Sequence, residues 1–296
     1  MISVLGMPLP ALLSQLVLGL VNGSFYALLS LGLAVIFGML NIINFAHGAL
    51  YMMGAFAAWM LLTWFGVDYF GALLLGPLLV GALGLVIERT MLRRLYRIDH
   101  LYGLLLTFGL ALIFEGLFRD QFGVSGETYE VPQALTGAVN LGFMVLPKYR
   151  VWVVAVSLTV CFLTWFIIEK TRLGSYLRAA TENPKLTQAF GVNVPRMVML
   201  TYGFGAALAG LAGVMAAPIF QVSPLMGSNL IIVVFAVVVI GGMGSISGAI
   251  FTGLGLGVIE GMAKVFYPEG SATVVFVIMA IVLILRPAGL FGRESS

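Results

Sequence analysis

The sequence predicts an all-α polytopic membrane protein. Hydrophobic residues make up 61% of the chain and charged residues only 9%. Mean hydropathy is +1.09. Apolar runs long enough to cross a bilayer follow one another almost from end to end. A soluble domain carries roughly 25% charged residues. This chain lacks the polar groups to cover itself in water, so lipid must be its solvent.

A spanning helix needs about 20 mainly apolar residues. Nine stretches qualify or nearly qualify: residues 11–40, 45–65, 69–88, 101–118, 151–168, 197–219, 228–245, 247–266 and 272–286. Eight to nine transmembrane helices are therefore expected. The first stretch is too long for one straight span. The seventh and eighth are short and rich in glycine, and are expected to form a broken or re-entrant pair. No linker-like stretch interrupts the series, so residues 1–296 read as a single transmembrane domain. Residues 1–10 carry no basic residue, unlike a cleaved signal peptide. The chain is expected to enter the membrane through its own first helix.

Orientation follows from the basic residues. Arg89, Arg93, Arg94 and Arg97 fall in one connection, Lys170, Arg172, Arg178, Lys185 and Arg196 in another, and Arg286 and Arg293 at the end of the chain. Nine alternating spans put these three places on one side, with 11 of the 15 basic residues; Arg119, Lys148, Arg150 and Lys264 fall on the other. The bias predicts the N-terminus outside and the C-terminus in the cytoplasm. Four spans, a fifth and four more are also compatible with an inverted repeat, an arrangement common in transporters. Similarity between the halves is too weak to establish one.

The net charge of +3 is spread over loops and gives no nucleic-acid footprint. The single Cys161 lies in an apolar run, forms no intrachain disulfide and belongs to no metal-spacing motif. Small residues recur at four-residue spacing in Gly205, Ala209 and Gly213, a pattern that lets helices approach closely.

Two motifs interrupt the apolar pattern. Asn41-Ile42-Ile43-Asn44-Phe45-Ala46-His47-Gly48 joins the first two stretches without a Lys or Arg to mark a cytoplasmic loop. Asn and His are costly in hydrocarbon and need partners. One reading is a helix break inside the membrane, with a helix starting near Phe45 whose free N–H groups suit a polar or anionic solute. The other is a short interfacial turn. The second motif lies within residues 169–196. Asn183 suits an N-cap, Pro184 the first helical position and Gly191 the C-terminal end. Leu186, Ala189 and Phe190 share one face. The result is a short amphipathic helix that either lies flat in the interface or meets a partner.

Other features carry less. Residues 241–249, Gly-Gly-Met-Gly-Ser-Ile-Ser-Gly-Ala, lack the Gly-Lys-Ser/Thr ending of a phosphate-binding loop and read as a turn or a close helix contact. Glu115 with Arg119 and Glu260 with Lys264 are i, i+4 pairs that neutralise themselves. Glu88 neighbours Arg89. No unpaired acid is evident in mid-membrane, which argues weakly against a proton-coupled carrier. The segment 120–150 is the longest outer connection and is open to an extracytoplasmic partner.

These residues together resemble the permease family of branched-chain amino acid ABC importers, in particular its LivH-like subunit. The matching pieces are Gly19-Leu20-Val21-Asn22-Gly23-Ser24-Phe25-Tyr26-Ala27-Leu28, Asn44-Phe45-Ala46-His47-Gly48, Gly54-Ala55, Leu177-Arg178-Ala179 through Ala189-Phe190-Gly191-Val192, Gly241-Gly242-Met243-Gly244-Ser245 and Arg286-Pro287-Ala288-Gly289-Leu290-Phe291-Gly292. They run nearly the whole chain in order.

The resemblance implies a multi-pass subunit of the bacterial inner membrane that is not itself an enzyme. It implies pairing with a second related permease, two cytoplasmic ATPases that use ATP and Mg, and an extracytoplasmic solute-binding protein. Arg178, Ala179, Ala180, Glu182, Leu186, Phe190 and Gly191 then look like the coupling segment that docks into an ATPase. By similarity to related sugar-importer permeases, Asn22, Asn44 and His47 are placed near the solute path. The competing readings are a secondary transporter working alone, which needs an ion-coupling acid in the membrane, and a passive channel, which needs two matched half-helices. Only one candidate half-helix is evident.

Overall fold

The computed structural model describes residues 3–4, 7–96 and 99–292. The basic residues Arg97 and Arg293, and part of residues 1–10, lie outside the described residues. Within them the chain forms helices α1 Leu9–Leu40, α2 Ala46–Phe65, α3 Tyr69–Thr90, α4 His100–Phe122, α5 Lys148–Lys170, α6 Arg172–Glu182, α7 Pro184–Ala189, α8 Val194–Ala216, α9 Met226–Gly241, α10 Ile246–Phe266 and α11 Ser271–Leu285. Each expected span has its helix. Among the described residues, eight are long and apolar enough to cross a membrane, while α9 is shorter. The protein is an all-α polytopic membrane protein.

Helical structure is forced by the solvent. A spanning segment must satisfy its own backbone N–H and C=O groups, because hydrocarbon offers no partners. The first stretch forms one continuous helix, α1, of 32 residues. At 1.5 Å per residue it is about 48 Å long, against a hydrocarbon core of about 30 Å, so it must tilt or protrude. The outer segment carries structure of its own. It holds a small antiparallel ribbon, Ala138–Asn140 with Val145–Pro147, and Glu127 forms a backbone bridge with Val222, its N–H donating to Val222 O at 2.7 Å.

Helix packing depends on small residues, since lipid is as apolar as leucine and gives no hydrophobic drive between helices. The central α8 packs against α1, α2 and α3. Its Gly205 faces Ile36 and Gly32 of α1, whereas Gly213 faces α2 around Gly54 and Ala55. The regular spacing therefore serves two neighbours rather than one seam. The principal seam is one the spacing of those residues does not show, between α1 and α10. A Cβ added at Gly19 would stand 2.7 Å from Gly257 O, and one at Gly23 3.0 Å from Leu254 Cα.

The ends of the bundle can be told apart by contacts alone. The C-terminal end of α1 (Met39, Leu40), Tyr96 and the start of α8 (Val194, Met197, Val198) pack around Ala180 of α6. At the other end, Tyr149 OH donates to Met215 O at 2.8 Å and lies 3.0 Å from Tyr69 OH. The three basic regions thus share one end, hereafter the basic end, as the alternation of spans requires.

Two motifs far apart in sequence close on each other there. Leu290 N–H donates to Ile240 O at 2.8 Å and Phe291 N–H to Gly241 O at 3.1 Å. The tail 286–292 thereby supplies partners for carbonyls at the end of α9, which have none within the helix. Gly242, at φ 99°, holds the left-handed turn this requires.

Replacing Gly23 by Val should drive a branched side chain into the α10 backbone and lower stability by about 1–3 kcal/mol, the usual cost of overpacking. Gly109→Ala, with open space around it, should be neutral. Thermal midpoints of the two variants in detergent check this.

Candidate functional site

The polar motif 41–48 is a chain break inside the bundle. Asn41 ends α1 in the left-handed conformation, φ 50°, its N–H donating to Phe37 O at 2.8 Å. Residues 41–44 are irregular, and α2 starts at Ala46 with Phe45 as its N-cap, within one residue of the expected start. The break is held by side chains from other helices. Phe45 N–H donates to Thr107 Oγ1 of α4 at 3.2 Å, and that hydroxyl reaches Ile43 O at 3.1 Å. Asn44 Nδ2 donates to Tyr202 OH of α8 at 3.2 Å. His47 Nε2 donates to Leu29 O at 2.9 Å. Leu29 is eleven residues before the end of α1, about 16 Å at 1.5 Å per residue. The break therefore starts at the end of α1, where Asn41 is exposed, and runs inward to His47 beside Leu29, its inner part satisfied by protein as irregular backbone in a membrane must be.

Asn44 and His47 are almost wholly enclosed, at 2% and 0% exposure. Asn44 Oδ1 and His47 Nδ1 have no protein partner. Neither residue, nor the half-buried Asn22 of α1, lines either of the two cavities described here. Both hold the break from behind its wall.

A cavity of about 390 Å³ lies in front of that wall. It is bounded by Phe45, Gly48 and Met52 of the α2 start, Phe108, Leu112 and Glu115 of α4, and Pro224, Gly227 and Ser228 of the α9 start. The first turns of α2 and α9 touch: a Cβ on Gly48 would stand 2.7 Å from Gly227 O. Two helix starts thus meet inside the protein where the sequence offered one. Glu115 is also more than half of a local pair. Its Oε1 holds Arg119 Nη2 at 2.7 Å, and its Oε2 accepts from Ser228 Oγ on α9. Glu88, expected beside Arg89, is 1% exposed and accepts instead from Tyr96 OH at 2.7 Å. It is a buried acid with no ion pair among the described residues.

The second candidate site is the segment between α5 and α8, which forms two helices rather than one. Asn183 Oδ1 caps α7 by accepting from Leu186 N–H at 3.0 Å, Pro184 opens the helix, and Gly191 follows it at φ 85°. The preceding α6 fastens it to the bundle. Ala180 is 2% exposed under α6, and Arg178 Nη1 donates to Ile168 O at 3.3 Å and Glu169 Oε2 at 3.4 Å. Ala180 is a buried anchor, while Arg178 ties α6 to the end of α5 with its side chain still 41% exposed. Ala179, Glu182, Leu186, Phe190 and Gly191 are exposed. Phe190 is 79% exposed and Leu186 54%. Between α6, the end of α1 and the turn after α9 lies a second cavity of about 470 Å³.

A bundle of apolar helices with an internal break, one cavity beside that break and another at one end, and an exposed amphipathic helix at that end fits a membrane transport subunit. The family model for the branched-chain amino acid transport system permease component matches residues 15–285, and the chain belongs to that family. It is a multi-pass permease subunit of an ABC importer and not an enzyme. It is 33% identical to the high-affinity branched-chain amino acid transport system permease protein BraD of Pseudomonas aeruginosa, over 96% of each chain. It is 31% identical to the corresponding LivH protein of Escherichia coli, again over 96% of each. A shorter match, 34% identical over 36% of this chain and 31% of its relative, is to the fructose import permease protein FrcC of Rhizobium meliloti.

Tyr202→Phe removes the partner of Asn44 Nδ2 in a buried site where Asn44 Oδ1 already lacks one. Stability should fall by about 1–3 kcal/mol, the desolvation cost of a buried polar group left unpaired. A lower thermal midpoint of the purified chain, with normal membrane insertion, is the expected result.

Proposed function

We propose that this chain forms half of the solute path of an ATP-driven importer in a bacterial inner membrane, carrying branched-chain amino acids or a related small polar solute. Its basic end faces the cytoplasm. A second, related permease completes the path, two ATPases drive it, and a solute-binding protein delivers to the opposite end, where the segment 120–150 stands. The relatives' names support the solute class, and the distribution of basic residues supports the orientation.

The observation that carries the reading is α7. A phenylalanine 79% exposed at the end of a capped helix is a liability unless something covers it. The helix is short and fixed at both ends, by Asn183 before it and by Asn193, whose Oδ1 accepts from Arg196 N–H at 3.1 Å to cap α8. A push on such a helix moves α6 and α8 as bodies rather than bending a loop. Leu186 and Phe190 supply an apolar contact for a cleft on an ATPase, with Glu182 at the rim. Asn44 and His47 serve the path by keeping the chain broken at mid-depth, and Asn22 lies on α1 near the same route.

Phe190→Ala should leave the subunit inserted and folded, since the side chain touches little of its own chain. It should reduce recovery of the ATPases with the permease and cut uptake by about tenfold or more, as expected for loss of an apolar anchor at an interface. Co-purification and uptake in proteoliposomes measure both. Wild-type values for each would overturn the docking assignment.

A further inference from the structure

We infer that the tail 286–292 is a coupling strap. It ties α9, α10 and α11 into one body at the basic end, and that body passes a push received from α6 and the end of α1 along α9 to the break. The inference rests on the transport reading above and adds a second carrier of its motion.

Its first support is that the three helices form a unit. Ala236, Val237 and Ile240 of α9, Leu256 of α10 and Val275 of α11 make a small core of their own. Helix α11 packs chiefly on α9 and α10. The tail closes this unit. Its consecutive N–H groups at Leu290 and Phe291 donate to consecutive carbonyls, Ile240 and Gly241, at 2.8 and 3.1 Å. The Phe291 ring stacks on Phe251 of α10, with centroids 6.0 Å apart and planes at 23°. One short segment leaving α11 thus grips both other helices. The grip is main chain on main chain: a Cβ on Gly289, at φ 82°, would stand 2.5 Å from Gly242 Cα. Without the tail, the last carbonyls of α9 would turn to water and that helix end would be free to fray.

The second support is where the strap lies. Phe291 and Gly292 line the cavity of about 470 Å³, together with Leu177, Arg178 and Thr181 of α6 and the turn 243–247. The strapped turn therefore faces the segment assigned to ATPase docking. The end of α1 joins them: a Cβ on Gly38 would stand 3.3 Å from Gly244 Cα, and Met39 and Leu40 pack around Ala180 of α6. Motion of α6 reaches the turn through that end, or by closing the cavity. From the turn, α9 leads to the break. Gly227, against Gly48, stands fourteen residues before Gly241, about 21 Å along the helix at 1.5 Å per residue. Helix α10 lies on α1 along glycines, backbone to backbone, so few long side chains need repack when the unit shifts.

The competing account is that the tail only braces the fold. The two differ in what its loss does to the α9 start. The full complex, with its ATPases and binding protein, is reconstituted in proteoliposomes. L-leucine uptake, ATP hydrolysis and the labelling of Ile232→Cys, on the wall of the cavity beside the break, by a small water-soluble thiol reagent are measured. Cys161, 1% exposed, adds little background. With the strap intact, the labelling rate should change severalfold between the nucleotide-free and vanadate-trapped states. Gly289→Val should abolish that change and lower uptake about tenfold, with assembly and ATP hydrolysis retained. Phe291→Ala, which keeps both backbone bonds, should have the same effect to a smaller degree. Wild-type uptake and labelling in both variants overturns the strap and leaves the transport reading standing. If Gly289→Val fails to assemble, wild-type behaviour of Phe291→Ala overturns the strap by itself. Hydrolysis and uptake falling in proportion makes the tail a brace and overturns it too, as does labelling of Ile232→Cys that nucleotide leaves unchanged. A wild-type complex that moves no small solute on ATP overturns the transport reading itself, and the strap's role with it.

Discussion

The structure depends on one constraint: in hydrocarbon, a backbone amide or carbonyl without a partner costs several kcal/mol. Among the described residues, eight helices are long and apolar enough to satisfy it across a membrane. The interesting places are where the chain stops being helical inside the bundle. Residues 41–45 are tolerated because Thr107 of α4 meets the backbone of Phe45 and Ile43, while Tyr202 of α8 holds the Asn44 side chain. The stretch before α9 is tolerated because Val222 pairs its backbone with Glu127. Each break is covered by another part of the chain, and each leaves a helix start pointing inward. The cavity of about 390 Å³ is the space those two starts share.

Close packing follows from the same solvent. With no hydrophobic drive between helices, α1 and α10 are held by backbone approach at Gly19, Gly23 and Gly257, and α8 reaches its neighbours through Gly205 and Gly213. This explains why glycine, a poor helix former in water, is so frequent here: 37 residues, many at contacts where a methyl group has no room. It also bears on function. Helices that touch backbone to backbone carry few long side chains to repack, so they slide or tilt as bodies, which suits a path that must open on alternate sides.

What the sequence made legible was local or compositional. Span positions follow from hydropathy because the solvent acts on every residue alike. The caps of α7 were readable because Asn183, Pro184 and Gly191 act on their own neighbours. The break at 41–48 was visible as polar residues with no charge to mark a surface. The rest depended on partners far along the chain. Glu115 and Arg119 look self-sufficient at four residues apart, and nothing local reveals that Ser228, 113 residues away, shares the carboxylate. Gly227 and Gly48 are ordinary glycines until their helices meet. The continuity of α1 was equally hidden, since length in excess of a span is resolved by tilt or protrusion, neither of which leaves a pattern. Ala180 and Arg178 lie in the same motif as Leu186 and Phe190, yet only tertiary packing shows that Ala180 is buried and Arg178 tied to Ile168 O while Leu186 and Phe190 stand exposed.

The two candidate sites are joined by a short run of contacts. Ala180 of α6 packs with Met39 and Leu40 at the end of α1 and with Tyr96. Tyr96 holds Glu88 by a hydrogen bond of 2.7 Å. On α8, Tyr202 bonds Asn44 at the break where α2 begins. A displacement of α7 is thus delivered, through α6, to the last residues of α1 and the first turns of α8, the two helices that clamp the break from either side. At the break, Asn44 Oδ1 and His47 Nδ1 lack protein partners. On the transport reading, ATP-driven motion at the basic end acts on the turn from which both the cavity wall and the break are built.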